Sequence, residues 1–219
     1  FSDKAFFLAY ISSKILSKKN KKIILVLHGG KLADFHQVNE RYVESVLGRG
    51  NLILSPSKFL IKHFSKVGFE IRHLPNPVDL KNFKQISIKK NRSILWVRAF
   101  DEIYNPQLAI MILHEVRKQH GDITLSMVGP DLGLLNDCKM LITELGLEDS
   151  VKIYGSVSNY NLPKIYNEHL IYLNTTSFES FGVALIESAA CGLPIVTTKV
   201  GEIPYIWENN INALISESN

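Results

Sequence analysis

Glu179 and Glu187 stand eight residues apart in the run Ser177-Phe178-Glu179-Ser180-Phe181-Gly182-Val183-Ala184-Leu185-Ile186-Glu187. Thirteen glutamates in 219 residues give roughly one such pair by chance, so the spacing alone proves little. Its setting says more, because an apolar stretch at 171–173 precedes the run and helical spacing follows it over Val183–Ala190. Gly182 lets the amides of a first helical turn face a ligand, and their dipole favours an anion such as a diphosphate. Glu187, about one turn into the helix, is placed for a bidentate hydrogen bond to vicinal hydroxyls such as those of a ribose. Glu179, just before the helix, is expected to project its carboxylate into the same crevice.

Three further turns close apolar runs. Leu27-His28-Gly29-Gly30 joins two small residues, which allow close backbone approach, to an imidazole that titrates near neutral pH; a plain turn with a capping histidine is the competing reading. Trp96-Val97-Arg98 sets a guanidinium at a strand end, suited to a phosphate, or else to pairing with Asp101 or Glu102. In Met127-Val128-Gly129-Pro130-Asp131 the glycine removes a side chain from the mouth of a crevice, although glycine is also a common way to leave a strand.

The elements that hold these turns are short runs rich in Ile, Val and Leu at 23–27, 51–54, 71–74, 93–97, 124–128, 151–154, 171–173, 195–197 and 213–215. They read as strands buried on both faces, and most are separated by helical spacing, as at Leu108, Ala109, Ile112, Leu113 and Val116. Such alternation predicts an α/β chain of parallel sheets flanked by helices. Ligands of these sheets bind beyond the carboxyl ends of the strands, where the four turns lie.

Composition narrows the class. The chain is 46% hydrophobic and 21% charged, ordinary for a globular protein. No apolar run reaches the roughly 18–20 residues of a membrane span. Cys138 and Cys191 are far apart without a CxxC pattern, which disfavours a disulfide scaffold or cysteine zinc site and fits reduced cytoplasmic thiols. Residues 1–85 carry 15 Lys/Arg against 6 Asp/Glu, and residues 86–219 carry 10 against 15. A basic half of +9 thus precedes an acidic half of −5, which predicts two lobes with different partners. Pro75-Asn76-Pro77 and the polar stretch after it mark the break. We expect a first lobe over 1–80, a linker over 81–91 and a second lobe over 92–219. The first 75 residues supply three strands, fewer than the about five to six of a typical sheet. Both ends are expected to lack pieces.

The run SFESFGVALIESAACGLPIV resembles the E-x7-E hallmark of the retaining glycosyltransferases of the GT-B fold, family 4 (glycosyl transferases group 1). The resemblance extends through LHGG at 27–30, LPNPVD at 74–79, ILWVRAF at 94–100, LSMVGPD at 125–131 and VKIYGSV at 151–157, in the family's order. It implies two Rossmann-like lobes, an incomplete acceptor-binding lobe first and a donor-binding lobe lacking its C-terminal end second. It further implies that Glu187 holds the donor ribose, that Glu179 contacts the transferred sugar and that Phe181, Gly182 and Val183 contact sugar and phosphates. Arg98 resembles the arginine that neutralises the diphosphate, and His28 the acceptor-lobe histidine near the reacting sugar. Asn76 and Asp79 match a turn at the lobe junction, and Gly129 is expected to border the donor.

The chain departs from the family at three places. Val97 replaces the glycine before the arginine, Asn76-Pro77 replaces an Asn-Gly pair, and Tyr104-Asn105-Pro106 stands where a phosphate-binding lysine is usual. The expected activity is transfer of a sugar from a nucleotide-diphosphate sugar to a hydroxyl of a glycan or lipid-linked acceptor, with retained anomeric configuration. Without a DxD motif or zinc-type histidine spacing, no metal and no separate cofactor are expected. A non-catalytic sugar-nucleotide-binding or scaffold subunit is the rival reading. Nucleic acid is disfavoured because the basic residues are not interleaved with aromatics. The helix expected at 5–16, with Phe6, Phe7, Leu8 and Tyr10 beside Lys18-Lys19-Asn20-Lys21-Lys22, fits a core helix with a solvated basic end. A peripheral seat on anionic lipid at the cytoplasmic membrane face is the alternative.

Overall fold

The computed structural model describes residues 4–86 and 91–217. The chain forms two compact units, one ending at Pro77 and including Glu179–Phe181, the other Val78–Phe178 with Gly182 onward.

In the first unit the elements run α1 (Lys4–Lys18), β1 (Ile24–Val26), α2 (Leu32–Val38), α3 (Glu40–Leu47), β2 (Leu52–Ser55), α4 (Lys58–Ser65) and β3 (Arg72–His73). The three strands are parallel in the order β1-β2-β3, with Ile24 opposite Leu52 and Leu54 opposite Arg72. Phe6, Leu32, Val43, Leu47, Leu60 and Phe64 build its core. Ser57 caps α4 by accepting from the Leu60 amide at 3.2 Å. Ser55 Oγ donates to the Leu27 carbonyl at 2.9 Å and so fixes the chain where it enters His28-Gly29-Gly30.

In the second unit the elements are β4 (Ser93–Val97), a 3-10 turn (Glu102–Tyr104), α5 (Pro106–Arg117), β5 (Thr124–Val128), α6 (Leu135–Glu144), β6 (Val151–Gly155), α7 (Leu162–Glu168), β7 (Ile171–Asn174), α8 (Val183–Ala190), β8 (Ile195–Thr198), α9 (Ile203–Ile206) and β9 (Leu214–Ser216). The six strands pair in parallel in the order β6-β5-β4-β7-β8-β9. After β6 the chain crosses to the far side of β4, which makes the carboxyl ends of β4 and β7 the topological switch point. Alternate residues of β4 feed two cores: Ile94 and Trp96 pack with Ala109, Leu113 and Met127, and Leu95 packs with Tyr166, Tyr172 and Leu185. Asn105, with φ +47°, accepts from the Leu108 amide and Pro106 starts α5, a cap followed by proline at the first helical turn.

All nine expected strands are present, but not all are buried on both faces. Ile24 and Val26 of β1, both residues of β3 and Leu214 of β9 are exposed. β1, β3 and β9 end their sheets, so a run of apolar residue types there need not have a layer on each side. The stretch expected as a linker makes defined contacts. Phe83 is buried against Tyr166, Asn167 Nδ2 donates to the Lys84 carbonyl, and the amides of Ile86 and Asn91 donate to Asn167 Oδ1 and the Glu168 carbonyl. Residues 81–86 and Asn91 therefore belong to the second unit's packing, because one buried phenyl and a few backbone bonds suffice to dock a polar run. The remainder, residues 87–90, lies outside the described residues.

Along α1, Phe6 stacks at 5.3 Å on Phe35 and Tyr10 at 4.6 Å on Tyr42, so these two rings serve the core and are not available to a lipid surface. Phe7, Leu8, Ile11 and Ile15 are exposed, as are Lys18, Lys19, Lys21 and Lys22. Among the described residues no helix is long and apolar enough to cross a membrane.

Candidate functional site

Just past β4 the Arg98 amide donates to the Val128 carbonyl at 2.9 Å, and the Gly129 amide donates to the Gly155 carbonyl at 2.9 Å. The ends of three strands are thereby held side by side. A Cβ on Gly129 would lie 1.7 Å from the Arg98 carbonyl oxygen, so no other residue fits there without moving the strand end.

The Arg98 guanidinium is fixed from two directions. Its Nε donates to Asn174 Oδ1 at 3.2 Å, and the Tyr104 ring lies 5.5 Å from its Cζ, a cation–π contact. Asn174 is buried and itself donates to Thr197 Oγ1 at 3.0 Å, which leaves its amide one orientation. Thr175 and Thr176 carry their hydroxyls to the carbonyls of Tyr104 and Ile103, tying the exit of β7 to the 3-10 turn. Asp101 accepts from the Ile103 amide and caps that turn.

Gly182 precedes α8 with φ +84°, a left-handed conformation that L-residues resist. α8 has no side-chain cap, and Leu185 and Ile186 bond back to the Gly182 carbonyl. The earlier amides of the helix thus remain as donors with a partial positive charge behind them.

Glu187 lies on the second turn of α8, half-buried. Its Oε2 accepts from the Tyr166 hydroxyl at 3.1 Å. Burial pushes its carboxyl above the ordinary range, while the Tyr166 bond and the Arg98 charge pull the other way. The Tyr166 phenol is itself pushed well up by burial, with Tyr172 and Glu187 adding to the effect.

Arg98, Gly129, Val183 and Glu187 line one cleft of about 400 Å³, with Val97, Ala99, Val128, Pro130, Ser156, Val157, Leu162 and Ala184 around them. It lies at the switch point and brings together a guanidinium, a carboxylate and a helix N-terminus, the donors and acceptors a nucleoside diphosphate requires. A larger cleft of about 520 Å³ runs past Asn174, Thr176, Ser177, Thr197 and Thr198, with Glu217 at its edge. It has hydroxyls and no cation along its wall, so the smaller cleft is the better match to a diphosphate. Among the described residues, no three His, Cys, Asp or Glu side chains are grouped as a metal site.

The other expected residues are described within their own units. Glu179 is buried, accepts from the Phe181 amide at 3.3 Å and, with Phe181, groups with the first unit. Gly182 is buried at the head of α8 but is not part of the cleft wall. His28 is exposed after β1, and Asn76 sits half-buried one residue before the first unit ends. Tyr166 and Asn174 are not singled out by motif or spacing. The signals they do carry are a tyrosine on the apolar stripe of a helix, whose hydroxyl must find a partner when buried, and an amide closing an apolar strand.

Comparison with known proteins gives the family and the fold. A family model described as Glycosyl transferases group 1 matches residues 78–219. The phosphatidylinositol N-acetylglucosaminyltransferase gpi3 subunit of Schizosaccharomyces pombe is 26% identical over 141 residues, covering 63% of this chain and 31% of the yeast protein. D-inositol 3-phosphate glycosyltransferase of Paenarthrobacter aurescens is 28% identical over 195 residues, covering 81% of this chain and 47% of that protein. The chain thus spans less than half the length of these relatives. Among solved structures, Anabaena Alr3699/HepE in complex with UDP and glucose aligns with TM-score 0.82 at 20% identity over 95% of this chain and 61% of that one. Sucrose-phosphate synthase of Thermosynechococcus elongatus aligns with TM-score 0.83 at 16% identity over 95% of this chain and 58% of that one. The parallel sheets flanked by helices are those of the GT-B glycosyltransferases, as expected from the sequence. The chain belongs to the glycosyl transferases group 1 family.

Proposed function

We propose that this chain carries the donor site of a glycosyltransferase that moves a sugar from a UDP-sugar to a hydroxyl acceptor with retention of configuration. The observation that carries the reading is the single cleft shared by Arg98, Glu187 and the start of α8. In it the diphosphate lies between the Arg98 guanidinium and the amides of Val183 and Ala184, and the ribose hydroxyls bond to Glu187. As the bond from the sugar to the diphosphate breaks, negative charge grows on the leaving oxygen, and preorganised donors there lower the barrier. Tyr104 replaces the usual lysine by stacking on Arg98 and holding its plane. No metal is required in this scheme, since the cation and the helix dipole supply the compensating charge.

Glu179, Phe181 and His28 are proposed to act on the transferred sugar on the strength of the family resemblance, and Asn76 to border the donor. The solved complexes of HepE with UDP support the choice of uridine. Relatives named for phosphatidylinositol and inositol 3-phosphate make inositol-bearing hydroxyls the first acceptors to try. The basic first half of the chain suits such anionic acceptors.

Thermal-shift measurements with UDP, GDP and ADP, followed by transfer assays with and without EDTA, test the reading. Stabilisation by UDP and turnover that survives chelation are expected; turnover abolished by EDTA contradicts the metal-free scheme. The absent lysine favours a second reading, a sugar-nucleotide-binding subunit without turnover of its own. Arg98→Ala and Glu187→Ala separate the two, since an enzyme loses turnover and a scaffold has none to lose.

A further inference from the structure

We propose that Tyr166 is the positioning residue for the ribose-binding carboxylate: its buried hydroxyl, donating to Oε2 of Glu187, orients that group so that Oε1 and the remaining lone pair of Oε2 receive two vicinal hydroxyls. The inference rests on the donor-site reading of the cleft and assigns a role there to a residue outside its wall. Tyr166 is fully buried, and its ring is held by Phe83 and Tyr172, each with its centroid 6.0 Å away. A phenol enclosed in this way has one place to put its O–H, and the structure puts it 3.1 Å from Glu187 Oε2. The bond runs from α7 to α8, between residues 21 apart in sequence, so it constrains the carboxylate from outside its own helix.

An ionised carboxylate has about four acceptor positions. The tyrosine occupies one on Oε2, and Oε1 takes no hydrogen bond from any described residue. Two cis hydroxyls on a five-membered ring need both oxygens at once, in one plane. A carboxylate on a flexible side chain meets that demand only if something fixes its last torsion. The hydroxyl also favours the charged form of Glu187, as does Arg98 from the end of β4. Tyr166 on α7 and Arg98 are the titratable or charged groups acting on it, against a burial that favours the neutral acid.

The test measures affinity for UDP and for 2′-deoxy-UDP in the intact protein across pH, for wild type, Tyr166→Phe and Glu187→Gln, with melting temperature as the folding control. Wild type is expected to prefer UDP by about tenfold or more. Tyr166→Phe is expected to fold, to lose most of that preference and to move the acid midpoint of UDP affinity upward. A 4-aminophenylalanine at 166, which restores an N–H donor, is expected to recover part of both. If the preference vanishes in Glu187→Gln yet persists with an unmoved midpoint in Tyr166→Phe, the positioning role is overturned alone. If wild type and Glu187→Gln both bind the two nucleotides equally, the ribose reading fails and the proposal with it. Should Tyr166→Phe not fold, the 4-aminophenylalanine protein decides: a weaker donor must raise the midpoint above wild type, and an unchanged midpoint overturns the role.

Discussion

The Cβ that Gly129 lacks would sit 1.7 Å from the carbonyl oxygen of Arg98. The glycine and the arginine are therefore one structural unit: the backbone that carries the guanidinium occupies the space a side chain on the neighbouring strand would need. Gly129→Ala is expected to displace the end of β4 and cost about 1–3 kcal/mol of stability, an overpacking penalty with strain at its φ of +153°. Denaturant melts together with UDP binding check this, and an alanine variant with wild-type values in both contradicts it.

Asn174 holds Arg98 by Nε, so its loss should affect the leaving group without touching it directly. Asn174→Ala is expected to lower the transfer rate with a smaller effect on donor KM, since the arginine remains but its plane is no longer set. Arg98→Lys should be worse, because an ammonium can neither donate from Nε nor stack its plane on Tyr104. A rate loss on the order of 10²–10³-fold is expected for Arg98→Ala, as for other donors that stabilise a developing anion.

Glu187 titrates above its ordinary 4.5, chiefly through burial. A carboxyl raised in the folded state favours folding below the unfolded value, and that contribution is lost as pH rises through the folded one. At neutral pH the charged group therefore destabilises the fold. Glu187→Gln should melt higher than wild type near pH 7, and the advantage should disappear below about pH 4.5, where both side chains are neutral. UDP affinity should fall in the same variant, so stability and binding move in opposite directions.

Gly182 opens α8 at φ +84°. Gly182→Ala should cost about 1–2 kcal/mol through the left-handed backbone alone and weaken diphosphate binding by tilting the first turn. Circular dichroism melts and UDP titration measure the two effects separately.

Much of the fold is legible in the sequence because buried parallel strands are near-continuous runs of Ile, Val and Leu, as in Ser93–Val97 and Thr124–Val128. The turns that end them can be read for the same reason, and Arg98, Gly129, Val183 and Glu187 meet in one cleft. Periodicity is silent on Asn174 and Tyr166, whose partners lie 76 and 21 residues away, since nothing local marks which polar atoms a sheet will bring together. It does not mark Phe83, a single phenylalanine in a polar stretch that packs into a hydrophobic core.

Arg98 and Glu187 are proposed to grip opposite parts of one nucleoside diphosphate. Isothermal titration of UDP into the intact wild-type protein and into Arg98→Ala and Glu187→Ala tests it most directly. Binding weakened by about tenfold or more in each variant, with melting temperatures that show both remain folded, is the predicted result. UDP affinity unchanged in both folded variants would show that neither side chain holds the nucleotide.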